Sequence, residues 1–361
     1  MSFIWREICS HIIIQSVAPA CLKLVFSGGP INRFNLGKTM TTIVQNELDE
    51  VIESEWDYLM SKVDEWSLLH GEQDMEVLEH ILRCILHLDQ TNERADDFTE
   101  CVKVQNPDGG WSKQSHTDKT SMWITTFVAL KICRGNLILK NSKIEESIQR
   151  ALEYVLSCQE EDGHWADPEW SHLDTTCSVT VFLTVYQVTH DQKDDERINK
   201  ARRRGYDFII NWQRESGLWK DDKFHPAGIE TTAHLMQYTL VPGYFMDGIE
   251  YAQKICLEAA DSMVAEQAEN GSWDNENMDH TMDACRNLML VADTFKQKDK
   301  YAAVIQKGVR WLMDEKNQQG WGDYKEEPSN IERTGDGLDT LLKYRRFCSD
   351  KPMAHFWAYS K

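Results

Sequence analysis

Five acidic residues each stand two positions ahead of a threonine: Asp118 and Thr120, Asp174 and Thr176, Glu230 and Thr232, Asp279 and Thr281, Glu332 and Thr334. A carboxyl group beside a histidine is suited to general acid–base work, because imidazole can tune or orient the acid. Asp174 has His172 nearby and Asp279 has His280. Such acids also suit a helix start, where their oxygens accept from free backbone N–H groups and each cap is worth about 1 kcal/mol. Capping is the expected role of Asp118, Glu230 and Glu332; Asp174 and Asp279 are the candidates for chemistry. Asp283-Ala284-Cys285 adds a carboxylate and a thiol that zinc could take, with His280 or His355 as the imidazole.

These acids belong to a repeat. Tryptophans stand at 111, 165, 219, 273 and 321. Gln105, Gln159, Gln213 and Gln267 precede the first four by six residues, and Glu315 takes that place in the fifth. Gly110, Gly163, Gly217, Gly271 and Gly320 come one or two residues before the tryptophans. Ahead of each glutamine runs a segment with apolar residues at helical spacing, such as 148–158; glycine and polar residues break it, and the acid-x-threonine element opens a second helix. Each unit is therefore a helix hairpin that cannot bury its apolar face alone. Five hairpins fill roughly residues 95–345, and the amphipathic segments 47–69 and 76–88 supply a sixth. The expected fold is all-α, an α6/α6 toroid over residues 41–361, with 1–40 as an N-terminal extension.

A formal net charge of −20 argues against a nucleic-acid footprint. The ten cysteines form no CxxC pair, and Cys84, Cys133 and Cys256 fall in apolar helical runs. They read as reduced, buried thiols of a cytoplasmic protein. The apolar run from Phe3 to Phe26 carries Arg6, Glu7, His11 and Lys23, so a transmembrane segment is not expected there. A packing helix is the expectation, a peripheral membrane anchor the alternative.

The Gln…Gly-x-Trp element resembles the QW repeat of squalene–hopene cyclases, and in looser form that of protein prenyltransferase β subunits. The resemblance covers about 250 residues and implies the α/α toroid of the terpenoid cyclase superfamily, in a single-ring form. In class II members an Asp-x-Asp-Asp-Thr motif at this helix opening carries the proton donor. Here the element reads His172-Leu173-Asp174-Thr175-Thr176, which keeps one of the three acids. The resemblance places Asp174 as the acid, with Asp279 or Asp283 as substitutes. In the prenyltransferases the zinc pair sits at the helix opening, where this chain has Asp279 and Thr281; neither zinc at Cys285 nor any other cofactor is expected.

Counting from each repeat acid sorts the second helices into two faces. One stripe is largely apolar, with Ile124, Phe127 and Val128 or Leu338, Leu341 and Leu342, and suits packing on the outer helices. The other carries Met122, Thr125 and Thr126 in the first repeat and Ser178, Val181 and Phe182 in the second. It becomes polar in the last three, with His234, Gln237, Tyr238, Asp283, Arg286, Asn287, Asp336, Asp339 and Thr340. Burying such groups without partners costs several kcal/mol each, so they are expected to line a wet or ligand-filled lumen, or else to pair with one another and fix the ring. Trp123, Phe182, Tyr238 and Tyr186 are the lumen aromatics, with Trp56, Trp66 and Trp357 added from the ends; the five repeat tryptophans are structural.

The expected activity is that of a terpenoid cyclase-like isomerase or lyase in terpenoid biosynthesis. It would act by acid-initiated cyclisation or isomerisation of a prenyl or other unsaturated small molecule. His172, His234, Tyr238, Arg286, Asp336, Asp339, Phe182 and Trp123 would contact the substrate. Two alternatives are a different carboxylate chemistry, for example on a sugar, and a non-catalytic binding subunit like the prenyltransferase β chain.

Overall fold

The computed structural model describes residues 37–69, 74–88, 90–115, 117, 119–212, 214–220 and 228–349, with side chains of the first helix described over 46–62. Residues 1–36, Asp118, Gln213, His355, Trp357 and the Trp66 side chain lie outside that description, as do the expectations placed on them. Helices dominate. In chain order they are α1 (Gly37–Leu69), α2 (Met75–His87), α3 (Ala95–Lys103), α4 (Met122–Leu139), α5 (Ser142–Ser157), α6 (His172–Thr189) and α7 (Glu196–Asn211). Then come α8 (Ile229–Leu235), a π turn (Met236–Leu240) and α9 (Val241–Asp247), which continue one another, followed by α10 (Glu250–Ala265), α11 (Met278–Thr294), α12 (Lys298–Asp314) and α13 (Ile331–Cys348). Among the described residues the sheet is one two-stranded hairpin, Arg214–Glu215 with Leu218–Trp219.

The helices alternate between two concentric layers. Helices α2, α4, α6, α8–α9, α11 and α13 pack side by side, and α13 returns to α2, so the inner ring is closed. The intervening helices α1, α3, α5, α7, α10 and α12 pack outside it. The hairpins are thus an α6/α6 toroid, with α1 and α2 as the sixth. The first outer helix seals the seam. Buried Glu55 accepts the Gly320 N–H at 2.6 Å and pairs with Lys316 at 2.8 Å, while Arg310 reaches Glu47 at 2.6 Å.

The repeat residues build the joints. Each repeat tryptophan is fully buried, and its indole N–H donates to the carbonyl at the end of the outer helix before it: Trp111 to Cys101, Trp165 to Val155, Trp219 to Ile209, Trp273 to Met263 and Trp321 to Leu312. Its backbone N–H donates to the Oγ1 of a threonine in the inner helix that follows. The five tryptophans therefore occupy equivalent places. The glutamine spans two hairpins: Gln159 Nε2 donates to Gly163 O and to Ala201 O of the next outer helix, both at 2.9 Å. Gly163 has φ +103°, and a Cβ there would lie 2.5 Å from Arg204 O, which is why glycine is fixed at that place.

In the first repeat the threonine is not Thr120. Trp111 N–H donates to Thr125 Oγ1 at 2.8 Å, while Thr120 pairs with Asp108 at 2.7 Å. The position two ahead of the threonine is then Trp123, an aromatic residue where the other repeats hold an acid. The expected face of Met122, Thr125 and Thr126 is displaced accordingly. Thr126 bonds Ser178 on the neighbouring helix at 2.9 Å, and Phe127 turns to the lumen.

The repeat acids are also not the caps. Ser171, Asn277 and Asn330 accept the N–H groups of Asp174, His280 and Arg333, and Gly228 opens α8. Asp174, Glu230, Asp279 and Glu332 lie inside the first helical turn, where the free N–H groups still favour negative charge but the side chains are available to the ring interior. Helix α4 is long and apolar enough to cross a membrane by length and composition, but it is an inner helix and 78% buried.

Candidate active site

One end of the lumen forms a cavity of ≈ 60 Å³, lined by inner-helix residues and by Trp170 from the loop before α6. Its two sides differ in chemistry. On the α4 side Trp123 stacks on Trp170 with ring centres 4.5 Å apart, and Phe127 lies edge-on to Trp123 at 4.6 Å and to Tyr238 at 5.3 Å. Asp167 fixes the start of α4 by accepting from the Met122 N–H at 2.7 Å and the Ser121 hydroxyl at 2.8 Å, which holds Trp123 in place. Helix α11 stands across the six-membered ring from α4. Its Asp279, with Glu230 and Glu332 from the flanking helices, gives the other side a wall of carboxyl groups.

Below this mouth the polar residues pair. His234 reaches Asp174 through Nδ1 at 3.1 Å and Asp283 through Nε2 at 3.3 Å. Arg286 holds Asp283 at 2.5 Å and Asp336. Arg83 reaches Asp336 at 2.6 Å, and His80 reaches it at 3.2 Å. Deeper still, Asp339 takes Lys343 at 2.9 Å and His87 at 3.1 Å. The pairing expected as the alternative to an open lumen is realised in this lower layer, and the cavity lies above it.

The charge states follow from these contacts. Burial lowers the basicity of His80, but Glu79 and Asp336 outweigh it and lift the imidazole to about 9. Burial opposes charge on His234 too, yet Asp283 and Asp174 hold it well above its ordinary value, so it is an imidazolium. Arg286, Arg83 and His80 overcome burial at Asp336 and keep it well below the usual carboxylate range. Asp279 goes the other way. Burial lifts it, the neighbouring Asp283, Asp336 and Glu230 add to that, and Arg333 offsets only part, leaving its pKa at about 7. Glu76 is also raised, by burial and by Glu332, against the pull of Lys113.

The sequence-derived candidates are therefore divided. Asp279, His234, Tyr238, Arg286, Asp336 and Trp123 line the cavity. Asp283 and Asp339 are locked in buried ion pairs beneath it. Asp174 is tied to the Ser171 hydroxyl at 2.7 Å and to His234. His172, expected to tune Asp174, instead lies against His164 with ring centres 4.3 Å apart, and His234 takes its place. Phe182 is buried beside Tyr186, outside the cavity lining. The Cys285 sulfur points outward, toward Gly308 of α12, whereas Asp283 points to His234 and Arg286. The two residues diverge, so they do not form a ligand pair. His80, Glu332 and Asp336 have oxygens and nitrogens within 4.8 Å of one another, but Asp336 already faces Arg83, Arg286 and Arg333, which disfavours a cation there.

Sequence reasoning did not single out Trp170, Phe127, His80, Arg83 or Glu76 as cavity residues. Trp170 is in a loop without helical spacing, Phe127 was displaced by the first-repeat register, and α2 carries no repeat motif.

The fold and this lumen define an α/α toroid. Residues 91–248 match the family of the squalene–hopene cyclase C-terminal domain. The chain is 30% identical over 86 residues to the squalene–hopene cyclase of Alicyclobacillus acidocaldarius, a stretch covering 24% of this chain and 12% of that enzyme. Among solved structures, the ent-copalyl diphosphate synthase of Streptomyces platensis superposes with a TM-score of 0.52 at 15% identity, over 74% of this chain and 50% of that one. The GH76 α-mannanase of Bacteroides thetaiotaomicron superposes with a TM-score of 0.61 at 12% identity, over 86% and 97%. The superpositions define the shared toroid, and the sequence matches support the terpenoid cyclase α/α toroid superfamily as this chain's group.

Proposed function

We propose that this toroid is a terpenoid cyclase-like enzyme that starts its reaction by protonating a short, oxygen-bearing prenyl compound, with Asp279 as the acid. The observation that carries this reading is the juxtaposition of Asp279, a carboxyl group poised near neutrality, with the aromatic wall of Trp123, Phe127, Trp170 and Tyr238 across the same cavity. Faces of aromatic rings stabilise a cation within about 6 Å of their centres. A carboxyl group with a pKa of about 7 is a good donor to an oxygen leaving group near neutral pH and a poor donor to a bare alkene. An allylic alcohol or an epoxide therefore suits this site better than a hydrocarbon polyene. The cavity of ≈ 60 Å³ suits the reacting end of a short chain. Incubation with geraniol, linalool and short prenyl epoxides, followed by product analysis, tests the reading. Rearranged or cyclised products that vanish in Asp279→Asn support it; their absence with every such substrate overturns it.

A second reading rests on the same stacked Trp123–Trp170 pair, whose face beside carboxyl groups also suits a sugar ring. Release of reducing ends from oligosaccharides, in place of any prenyl product, would favour it.

A further inference from the structure

Two neighbouring repeats contain the same three-residue bridge. In the fifth repeat Arg333, just ahead of the threonine, pairs outward with Asp323 at 2.6 Å and backward with Asp279 of the preceding inner helix at 3.1 Å. In the fourth repeat His280 holds the same place. It pairs outward with Asp274 at 2.5 Å and backward with Glu230 of the preceding inner helix at 3.0 Å. The outer aspartates are 45% and 49% exposed, while the inner carboxylates are 21% and 17% exposed and face the cavity. Asp274, Asn275 and Glu276 all have positive φ, at 48°, 57° and 65°. This turn, held also by the Asn270–Glu276 hydrogen bond at 2.7 Å, brings Asp274 to His280.

The two bridges leave their carboxyl groups in opposite states. Asp279 is lifted by burial and its acidic neighbours. At Glu230 burial is outweighed by the His280 hydrogen bond and the His234 charge, which hold it below its ordinary value. Glu230 accepts from His280 through Oε2, and among the described residues its Oε1 takes no hydrogen bond. Asp283, Asp336 and Asp339 are bound to buried cations, and Glu76 is raised by burial and by Glu332, whereas Glu230 is held below its ordinary value and stands on the helix next to that of Asp279.

Building on the acid-initiated reading, we propose that Glu230 is the catalytic base that ends the reaction, and that His280 and Asp274 are its positioning residues. Asp279 gives its proton to the substrate oxygen, the C–O bond breaks with its electron pair leaving on oxygen, and a carbocation remains against the aromatic wall. Glu230 then takes a proton from the adjacent carbon, and the C–H electron pair becomes the new C=C bond. The Glu230 proton returns to water at the mouth, and Asp279 takes a proton back from the same water, which restores both groups.

The test uses the full chain and two measurements. In the first, the product mixture of Glu230→Gln is compared with that of the wild type. The expected result is a shift of at least tenfold from alkene toward alcohol, because the cation still forms but is quenched by water; a purely structural role would scale all products together. In the second, binding of N,N-dimethylgeranylamine, a cation mimic, is measured by calorimetry beside its uncharged carbon isostere. Glu230→Gln is expected to weaken the ammonium about tenfold and leave the isostere unchanged, and His280→Gln, which removes a positive charge 3.0 Å from Glu230, to strengthen it. An unchanged product ratio together with unchanged ammonium affinity overturns Glu230 as the base while leaving the acid-initiated reading standing. A wild type that neither binds the ammonium nor converts any prenyl substrate overturns both.

Discussion

His234 stands between two carboxylates on different helices, with Nδ1 3.1 Å from Asp174 and Nε2 3.3 Å from Asp283. As an imidazolium it donates to both and ties α6 to α11 through α8. Asp174, at the position where class II cyclases keep their acid, is thereby an ion-pair acceptor. On the next inner helix but one, burial and acidic neighbours lift the Asp279 carboxyl to about 7.

Asp279→Asn is accordingly expected to lower turnover by roughly 100- to 10,000-fold, the usual contribution of a general acid, with the fold intact. Asp174→Asn weakens one charged hydrogen bond, for which about 1.5–3 kcal/mol of stability is expected, and costs much less turnover. Steady-state rates and urea unfolding of the two variants check this. A dead Asp174→Asn beside an active Asp279→Asn returns the acid to Asp174.

Asp279 also leaves a mark on stability. Its folded pKa of about 7 lies above the ordinary aspartate value of 3.8. The folded state then binds the proton more tightly than the unfolded one, so stability falls as pH rises from about 4 to 7. At 1.36 kcal/mol per pH unit, the loss is on the order of 4 kcal/mol. Urea midpoints across that range should slope downward in the wild type and less in Asp279→Asn. Turnover should fall as pH rises through about 7.

His80 has the same sign in a higher pH window. Its pKa of about 9 lies above the ordinary 6.5, so the stability it contributes is fully present below pH 6.5 and lost as pH rises through about 9. Thermal unfolding between pH 6.5 and 10 should show that loss in the wild type and a flatter profile in His80→Gln.

Asp336 neutralises Arg83, Arg286 and His80 and receives Arg333 at 3.0 Å. Asp336→Ala leaves those cations facing one another in the ring interior, and destabilisation of about 3–5 kcal/mol is expected. Chemical denaturation measures it. A loss below 1 kcal/mol would show that the network adds little to ring closure.

Gly163 tests the repeat joint. Alanine there must hold φ near +103° and fit a Cβ 2.5 Å from Arg204 O. Strain of about 1–3 kcal/mol from the backbone with about 1–3 kcal/mol more from the overpacked Cβ is expected, against about 1–2 kcal/mol for Gly248→Ala, where a Cβ meets nothing within 4 Å and the left-handed φ of +64° is the main cost. The difference in melting temperature between the two variants is the measurement.

What the sequence determined by itself is the ring. Gln159, Gly163, Trp165 and Thr176 meet within one hairpin and its nearest neighbour, so their contacts recur at a fixed spacing that can be read along the chain. It also marked His234, Tyr238, Arg286 and Asp336 as facing inward, because helical periodicity records which face is polar; Asp279 stood out as a repeat acid beside His280, and Trp123 as an aromatic of an inner helix. Only the tertiary structure decided which of these groups pair. Glu230 meets His280 across 50 residues, Arg83 meets Asp336 across 253, and the loop from tryptophan to threonine changes length between repeats. That change shifts the helical register, which is why Asp118 was read as the first repeat acid when Trp123 holds the place. The separation of Asp279 from Asp174 as a proton donor depends on burial and on cations delivered by neighbouring helices, and those exist only once the ring has closed.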